Sequence, residues 1–279
     1  MTNPSFSIIT PMWKGAGLVG ATIDSVLAQS FPDWEMIIVD DCSPDDGAGA
    51  AVVQSYADKD PRIKLIRATV NRGSSGARNQ AMETAKGRYF AFLDSDDQWE
   101  PTKLEKQVQF MEVNGYAFSY TEYQEMDSEG TLTGVVISGP KHIAKRGMYN
   151  FCWPGCLTVM YDREKVGLIQ IEDIKKNNDY AMWLKVCKKE DCYLLPEVLA
   201  KYRRGRCGSV SSHAISTMIG WHYKLWREAE KRSVVVSVWL TGVNLVCGFY
   251  KKIKYVYNNQ QKTEVKKISN VSQRQIIKA

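Results

Sequence analysis

Three carboxylates fall within four positions in "FLDSDDQWEP", residues 92–101. Asp94, Asp96 and Asp97 follow the apolar run Tyr89, Phe90, Ala91, Phe92 and Leu93, with only Ser95 interposed. Two carboxylates about 5 Å apart repel by roughly 3 kcal/mol at an effective dielectric near 20. Either solvent screens that repulsion or a cation offsets it. A strand-end Asp-x-Asp places its first and third side chains on one side. Their oxygens suit a hard divalent cation, Mg2+ or Mn2+, that also takes phosphate oxygens. The bland alternative is a solvated turn in which one Asp, best placed at Asp97, caps the next helix.

The elements that must position these acids alternate along the first half of the chain. Strands are expected at "FSIIT" (6–10), "EMIIVDD" (35–41), "IKLIR" (63–67) and "RYFAFLD" (88–94). Between them, Val19, Ile23, Val26 and Leu27 share one helical face. Ser43 and Asp46 have the Ser-x-x-acid spacing of a capping box for the second helix. "SSGARNQAMETAKG" opens on candidate serine caps and stops at Gly87. Pro101 suits a first helical turn, followed by Leu104, Val108 and Met111 on one face. This alternation implies a parallel sheet covered on both faces. Ligands gather beyond the carboxyl ends of such strands, which here carry "TPMW" (10–13), "DDCSPDD" (40–46) and "DSDD" (94–97).

Beyond residue 115 the pattern loosens. "YAFSYTEYQEM" reads as strand and "DSEG" as a turn, while 131–160 has no clear period. A helix is expected over 179–190, with Tyr180, Trp183, Leu184 and Cys187 on one side, and a strand region over 192–204. Residues 233–250 carry no charge and are flanked by Lys231-Arg232 and Lys251-Lys252. Eighteen residues is the lower edge of a bilayer span, and Ser, Thr, Asn and two Gly make it a poor one. Packing on the domain, shallow membrane contact and a true span all remain open on sequence alone.

The chain has 279 residues, 44% hydrophobic and 24% charged, with a formal net charge of +6, which is ordinary for a globular protein. The basic excess gathers in the last 30 residues, where Glu264 is the one acid. Such a tail suits an anionic surface or plain solvation. Seven cysteines without a CxxC pair argue against a zinc site or a disulfide framework and for a reducing compartment. "MTNPSFSIIT" does not read as a cleaved signal.

Taken together, "FSIITPMWKG", "SVLAQSFPDWEMIIVDDCSPDD", "NRGSSGARNQAMETAKGRYFAFLDSDDQWEPTKL" and "NNDYAMWLKV" resemble a family 2 glycosyltransferase. The resemblance runs over residues 5–110, returns at 150–205 and fades afterwards. It implies a GT-A, Rossmann-like α/β fold: a mixed, mainly parallel sheet with helices on both faces and a helical C-terminal extension. It also implies a domain over 1–210, with a nucleotide-sugar half (1–115) and an acceptor half (116–210), then a basic extension over 211–279. The implied activity is inverting transfer from a nucleoside-diphosphate sugar, expected to be UDP-linked, to a glycan or lipid-linked glycan. The expected location is the cytoplasmic face of a bacterial membrane, with peripheral membrane contact and no nucleic-acid partner.

The implied roles are assigned residue by residue. Pro11, Trp13, Asp40 and Asp41 would hold the base, since a carboxylate can accept the uracil N–H and a ring can stack on it. Arg78 would lie near the phosphates or sugar, and Ser95 beside the nucleotide sugar. Asp96 and Asp94 would hold Mg2+ or Mn2+, with Asp94 also available to the ribose. Asp179, in "NNDYAMW", would be the base that deprotonates the acceptor hydroxyl. Asn178 stands where an acid is frequent, and Asp173 in "IED" competes for the same role. The ordinary reading of Asp40, Asp41 and Asp179 is helix capping.

Three histidines, His142, His213 and His222, have no acid or Cys at ligand spacing. Arg203, Arg204 and Arg206 could reach a diphosphate from a loop. Two rival functions are a phosphohydrolase forming an aspartyl-phosphate on Asp94 and a non-catalytic nucleotide-sugar-binding module. Against the first, the Asp-x-Asp lies mid-chain and Gln98 stands where Thr or Val would be expected.

Overall fold

A computed structural model describes residues 4–174, 176–205 and 215–258. Its first half is built from β1 (Phe6–Met12), α1 (Val19–Leu27), β2 (Trp34–Asp40), α2 (Ala48–Ala57), β3 (Ile63–Arg67), α3 (Gly73–Thr84) and β4 (Tyr89–Phe92). The strands pair in parallel in the order β4-β1-β2-β3. Every residue of β1, β2 and β4 is buried, as their unbroken apolar runs require of strands covered on both faces. The pleat divides them between two cores. Ile8, Met36 and Ile38 pack with α1 residues Val19, Ile23 and Val26. Ile9, Ile37 and Val39 pack with α3 residues Ala77 and Ala81.

The second half supplies β5 (Gln98–Trp99), α4 (Lys103–Asn114), β6 (Phe118–Met126), β7 (Leu132–Ile137), β8 (His142–Ile143) and β9 (Met160–Asp162). It continues with α5 (Arg163–Val166), α6 (Asn178–Cys187), β10 (Cys192–Arg203), α7 (Ile215–Lys224), α8 (Val234–Lys254) and β11 (Val256–Asn258). Antiparallel β9 joins β4 to β6, and the sheet runs on through β7 to β11. β10 lies parallel to β6 and antiparallel to β5 and β8. The sheet is therefore mixed, with its parallel part under the acidic rim.

Several local expectations are corrected. α2 starts at Ala48 behind a left-handed Gly47, so Ser43 and Asp46 form no capping box; the Ser43 hydroxyl donates to Asp40 instead. Ser74 and Ser75 do not cap α3, which begins at Gly73. That helix ends at Thr84, short of Gly87. Gly87 serves a close approach: a Cβ there would meet the Phe6 backbone at 2.5 Å. Pro101 lies ahead of α4, whose first residue is Lys103. Asp97 is 2% exposed and caps nothing; its carboxylate accepts the Arg203 N–H at 2.9 Å. His142 does have an acid partner, Asp191, at 2.7 Å. His213 and Arg206 lie outside the described residues.

α8 is amphipathic in the reverse of the usual sense. Its buried side is polar or small: Ser237, Thr241 and Asn244. Its outward side carries Val235 (79% exposed), Val238, Trp239 (71%), Val246, Phe249 and Ile253. Asn244 Nδ2 donates to the carbonyls of Tyr149 (3.2 Å) and Asn150 (2.7 Å) and to the Tyr180 hydroxyl (3.2 Å), and its Oδ1 accepts from Trp226 Nε1 (3.2 Å). Lys251 Nζ donates to the Trp153 carbonyl at 2.7 Å. Residues 149–153 are thus fastened along one side of α8.

Candidate active site

The ends of β1, β2 and β4 bring three of the expected loops together. Asp41 N–H donates to the Met12 carbonyl at 2.9 Å, and Lys14 N–H donates to Ser43 Oγ at 3.0 Å, tying the first loop to the second. Pro11 lies buried within β1. β4 pairs with β1 only as far as Ile9, so the missing Pro11 N–H costs no bond on that side. Trp13, next on the rim, is about half exposed with Lys14 Nζ 4.5 Å from its ring centroid.

Asp40 Oδ1 accepts from the backbone and hydroxyl of Ser43. Asp41 reaches a different element: its Oδ1 accepts Arg72 N–H at 2.8 Å, and its carbonyl accepts Asn71 Nδ2 at 2.8 Å. It thereby holds the start of α3. Burial pushes the Asp41 carboxyl above its usual range, against the Arg72 and Gly73 N–H groups and helped by Asp40.

The acid cluster divides three ways. Asp94 keeps a third of its side chain exposed and accepts Arg78 Nη2 at 2.5 Å. Ser95 is buried. Asp96 gives its carbonyl to Arg203 Nε at 3.0 Å. Asp97 is driven well above the usual carboxylate range by burial and then by Asp96 and Asp94. Arg203 therefore does structural work at the end of β10, with further bonds to the carbonyls of Asp127 and Ser128. Arg204 pairs with Glu125 at 2.9 Å. Neither is a free loop cation.

Arg78 is the hub, 5% exposed on α3. Its Nη2 bonds Asp94, its Nη1 donates to Asn178 Oδ1 at 3.1 Å, and its Nε is buried without a protein partner. Burial disfavours the cation, but Asp94, Cys156 and Asp179 together hold its pKa above the ordinary value. Asn178 also donates to Ser74 Oγ at 2.9 Å, clamping the start of α6 to α3. Asn177, left-handed at φ 58°, makes the turn into α6. Asp179 lies inside the first turn rather than at the cap, and its carboxylate accepts the N–H of its neighbour Tyr180 at 2.8 Å. Burial raises its pKa; Arg78 and the Tyr180 N–H pull it down, and Asp94 pushes it up again. Asp173 is exposed and lines a cavity of about 800 Å³ with Asn71, Arg72 and Asn79.

The residues missed by pattern reading are Asn178, Ser74 and the half-buried thiols Cys152 and Cys156. Burial raises both thiols, and each has Asp179 as an electrostatic neighbour. Asn178 alone carried a signal, standing beside Asp179 where an acid is frequent. No group of three or more His, Cys, Asp or Glu forms a metal cage among the described residues.

The sheet is that of the GT-A fold. Residues 7–157 match the family described as Glycosyl transferase family 2. The chain is 40% identical over 242 residues to the putative teichuronic acid biosynthesis glycosyltransferase TuaG of Bacillus subtilis (strain 168), spanning 86% of this chain and 94% of that protein. It is 38% identical over 213 residues to the UDP-Glc:alpha-D-GlcNAc-diphosphoundecaprenol beta-1,3-glucosyltransferase WfaP of Escherichia coli, spanning 76% and 82%. The crystal structure of S. aureus TarS 1-349 in complex with UDP-GlcNAc shares the fold, with a TM-score of 0.65 at 18% identity over 85% of this chain and 70% of that one.

The chain belongs to glycosyl transferase family 2 and is a glycosyltransferase. That membership sets aside the phosphohydrolase and the non-catalytic module.

Proposed function

We propose that the protein is an inverting transferase that moves a sugar from a UDP-sugar to a lipid-linked glycan, with Asp179 as base. The observation that carries this is the Arg78 guanidinium joining Asp94 on the donor rim to Asn178 beside Asp179. One arginine thereby fixes the distance between the group that meets the diphosphate and the group that meets the acceptor. WfaP, whose name gives a UDP-glucose donor, a diphosphoundecaprenol-linked acceptor and a beta product, supports the substrate classes. TarS, crystallised with UDP-GlcNAc, supports the nucleotide.

In this reading Trp13 stacks on the base, with Pro11, Asp40 and Asp41 shaping its pocket, and Ser95 backs the nucleotide sugar. The acceptor hydroxyl attacks the anomeric carbon as the bond to the diphosphate oxygen breaks, UDP leaves, and the hydroxyl proton passes to Asp179. A carboxylate raised by burial suits that task. Asp94 and Asp96 offer hard oxygen donors on a partly exposed rim, which fits Mg2+ or Mn2+ shared with the diphosphate rather than caged by protein. Such a cation would neutralise charge on the leaving diphosphate. Residues 1–210 would form the transferase unit and 211–279 an extension. The apolar side of α8 would rest on the cytoplasmic face of the membrane, whose anionic lipids favour adjacent basic residues.

The test is transfer from radiolabelled UDP-sugars to a diphospholipid-linked acceptor, with NMR of the product's anomeric configuration. Transfer with inversion that needs Mn2+ or Mg2+ and is lost in Asp179→Asn is expected. Retention, or full activity of that variant, would overturn the assignment.

A further inference from the structure

A second cavity, of about 540 Å³, has none of the rim acids in its lining. It is lined by Arg146, Tyr149, Lys188, Arg232, Val236 and Leu240. Of these three cations, Lys188 and Arg232 pair with one carboxylate, that of Glu230. Glu230 accepts Lys188 Nζ at 2.7 Å and the Tyr149 hydroxyl at 2.7 Å, while Arg232 Nη2 donates to that hydroxyl at 2.8 Å. Tyr149 is itself stacked on Trp226, 5.6 Å between centroids, so the floor is rigid. Arg232 Nε is enclosed without a protein partner, and Arg146 is exposed with no acidic partner among the described residues. The remaining wall, Val236 and Leu240, belongs to α8 and continues into its outward apolar side.

We propose that this cavity binds the phosphate headgroup of an anionic bilayer lipid, with the lipid chains lying along the apolar side of α8. The chemistry is that of the site: guanidinium and ammonium groups for a phosphate, and aliphatic side chains where acyl carbon would begin. Lys188 is the C-cap of α6 and Asp179 lies in its first turn, so their backbones are about 13 Å apart along the helix at 1.5 Å per residue. A headgroup can therefore stay bound while the active site turns over. The proposal rests on the membrane contact proposed above and adds a defined lipid site to it.

Two measurements on the full chain separate them. In the first, the protein is sedimented with phosphatidylcholine vesicles with and without phosphatidylglycerol; binding to the anionic vesicles is expected, and no binding to either overturns the membrane contact. In the second, dihexanoyl-phosphatidylglycerol below its micelle concentration is titrated by calorimetry. One saturable site is expected, weakened about fivefold by Arg146→Gln and about 25-fold by Arg146→Gln/Lys188→Gln, from about 1 kcal/mol per basic residue at an anionic surface. Arg146→Gln alters an exposed side chain, so an unchanged melting temperature accompanies its effect. Unaltered lipid affinity in both variants overturns the lipid site alone. Inorganic phosphate binding as tightly as the lipid also overturns it, in favour of a free-anion site.

Discussion

Asp94 and Asn178 accept hydrogen bonds from the two Nη atoms of one guanidinium, that of Arg78, at 2.5 and 3.1 Å. They come from opposite halves of the site, and this guanidinium bridges them. Removing the arginine leaves an acceptor unpaired on each side. Arg78→Ala is expected to cost about 2–4 kcal/mol of stability, below the usual cost of breaking a buried pair because Asp94 keeps a third of its exposure. Arg78→Lys should rescue little, since one ammonium lacks the planar fork that serves both partners. Urea unfolding of the three proteins checks the order.

Asp179 is the residue whose loss should separate chemistry from stability. Asp179→Asn is expected to lower kcat by about 10²–10⁴ with the donor KM little changed. Its carboxyl is raised in the folded protein, so the folded state favours the protonated form and ionisation at neutral pH works against folding. The asparagine variant should therefore melt higher at pH 7. The difference should shrink as pH falls through the raised folded value toward the unfolded one. In the wild type, transfer should fall away over the same acid limb. A variant that is both inactive and less stable would speak for a structural role.

The three rim acids should respond differently to cation. Asp97 is buried and committed to the Arg203 N–H, whereas Asp94 and Asp96 lie on the partly exposed rim. Asp96→Asn is expected to abolish the extra thermal stabilisation that Mn2+ confers in the presence of UDP. Asp97→Asn should retain it, because an amide oxygen can accept the same N–H and the buried carboxyl already favours its neutral form. Equal loss in both would make the cluster a single ligand set.

What was legible in the sequence follows from how each feature is encoded. β1 to β4 announce themselves because burial on both faces demands unbroken apolar runs, and their carboxyl ends then locate the rim. Helix starts were misplaced where another segment supplies the partner: Asp41 holds the start of α3 from the loop after β2, which no local Ser-x-x-acid pattern encodes. Asp97 and Arg203 were misread for the same reason, because their partner lies across β5 and β10. The uncharged run at 233–250 gave its length but not its facing. Which side of α8 turns inward depends on the carbonyls of Tyr149 and Asn150, and these belong to a segment without regular period.

Lys103 is a buried charge-bearing group outside the active site. It is fully buried on α4, and its Nζ lies 3.9 Å from the Trp99 ring centroid without a hydrogen-bond acceptor. Burial drives its pKa well below the usual lysine range. A folded value below the unfolded one means that the unfolded chain binds the proton more readily, so lowering pH from the alkaline side favours unfolding. Lys103→Met is expected to raise stability at pH 7 by about 1–3 kcal/mol, the cost of a buried unsatisfied donor. The gain should diminish as pH approaches the unfolded lysine value. A destabilised methionine variant at pH 7 would show that the amine is held by more than the Trp99 face.

α8 should rank its substitutions in the reverse of a helix packed by apolar residues. Asn244 serves four partners, two of them backbone carbonyls and the others the Tyr180 hydroxyl and Trp226 Nε1. Asn244→Leu strands those groups in a buried setting, at about 1–3 kcal/mol for each that no water reaches. Val238→Ser, on the outward side, removes an exposed apolar group and should change stability by less than about 0.5 kcal/mol. Trp239→Ser should likewise leave unfolding unaltered yet weaken vesicle binding, since an indole at a bilayer surface contributes there and not in the fold. Because Tyr180 adjoins Asp179 on α6, Asn244→Leu should also impair transfer, whereas the two outward variants should act normally on a water-soluble acceptor. Urea unfolding, vesicle sedimentation and soluble-acceptor kinetics on the three proteins decide the matter. An Asn244 variant as stable as wild type beside a collapsed Val238 variant would mean that the helix sits the other way round.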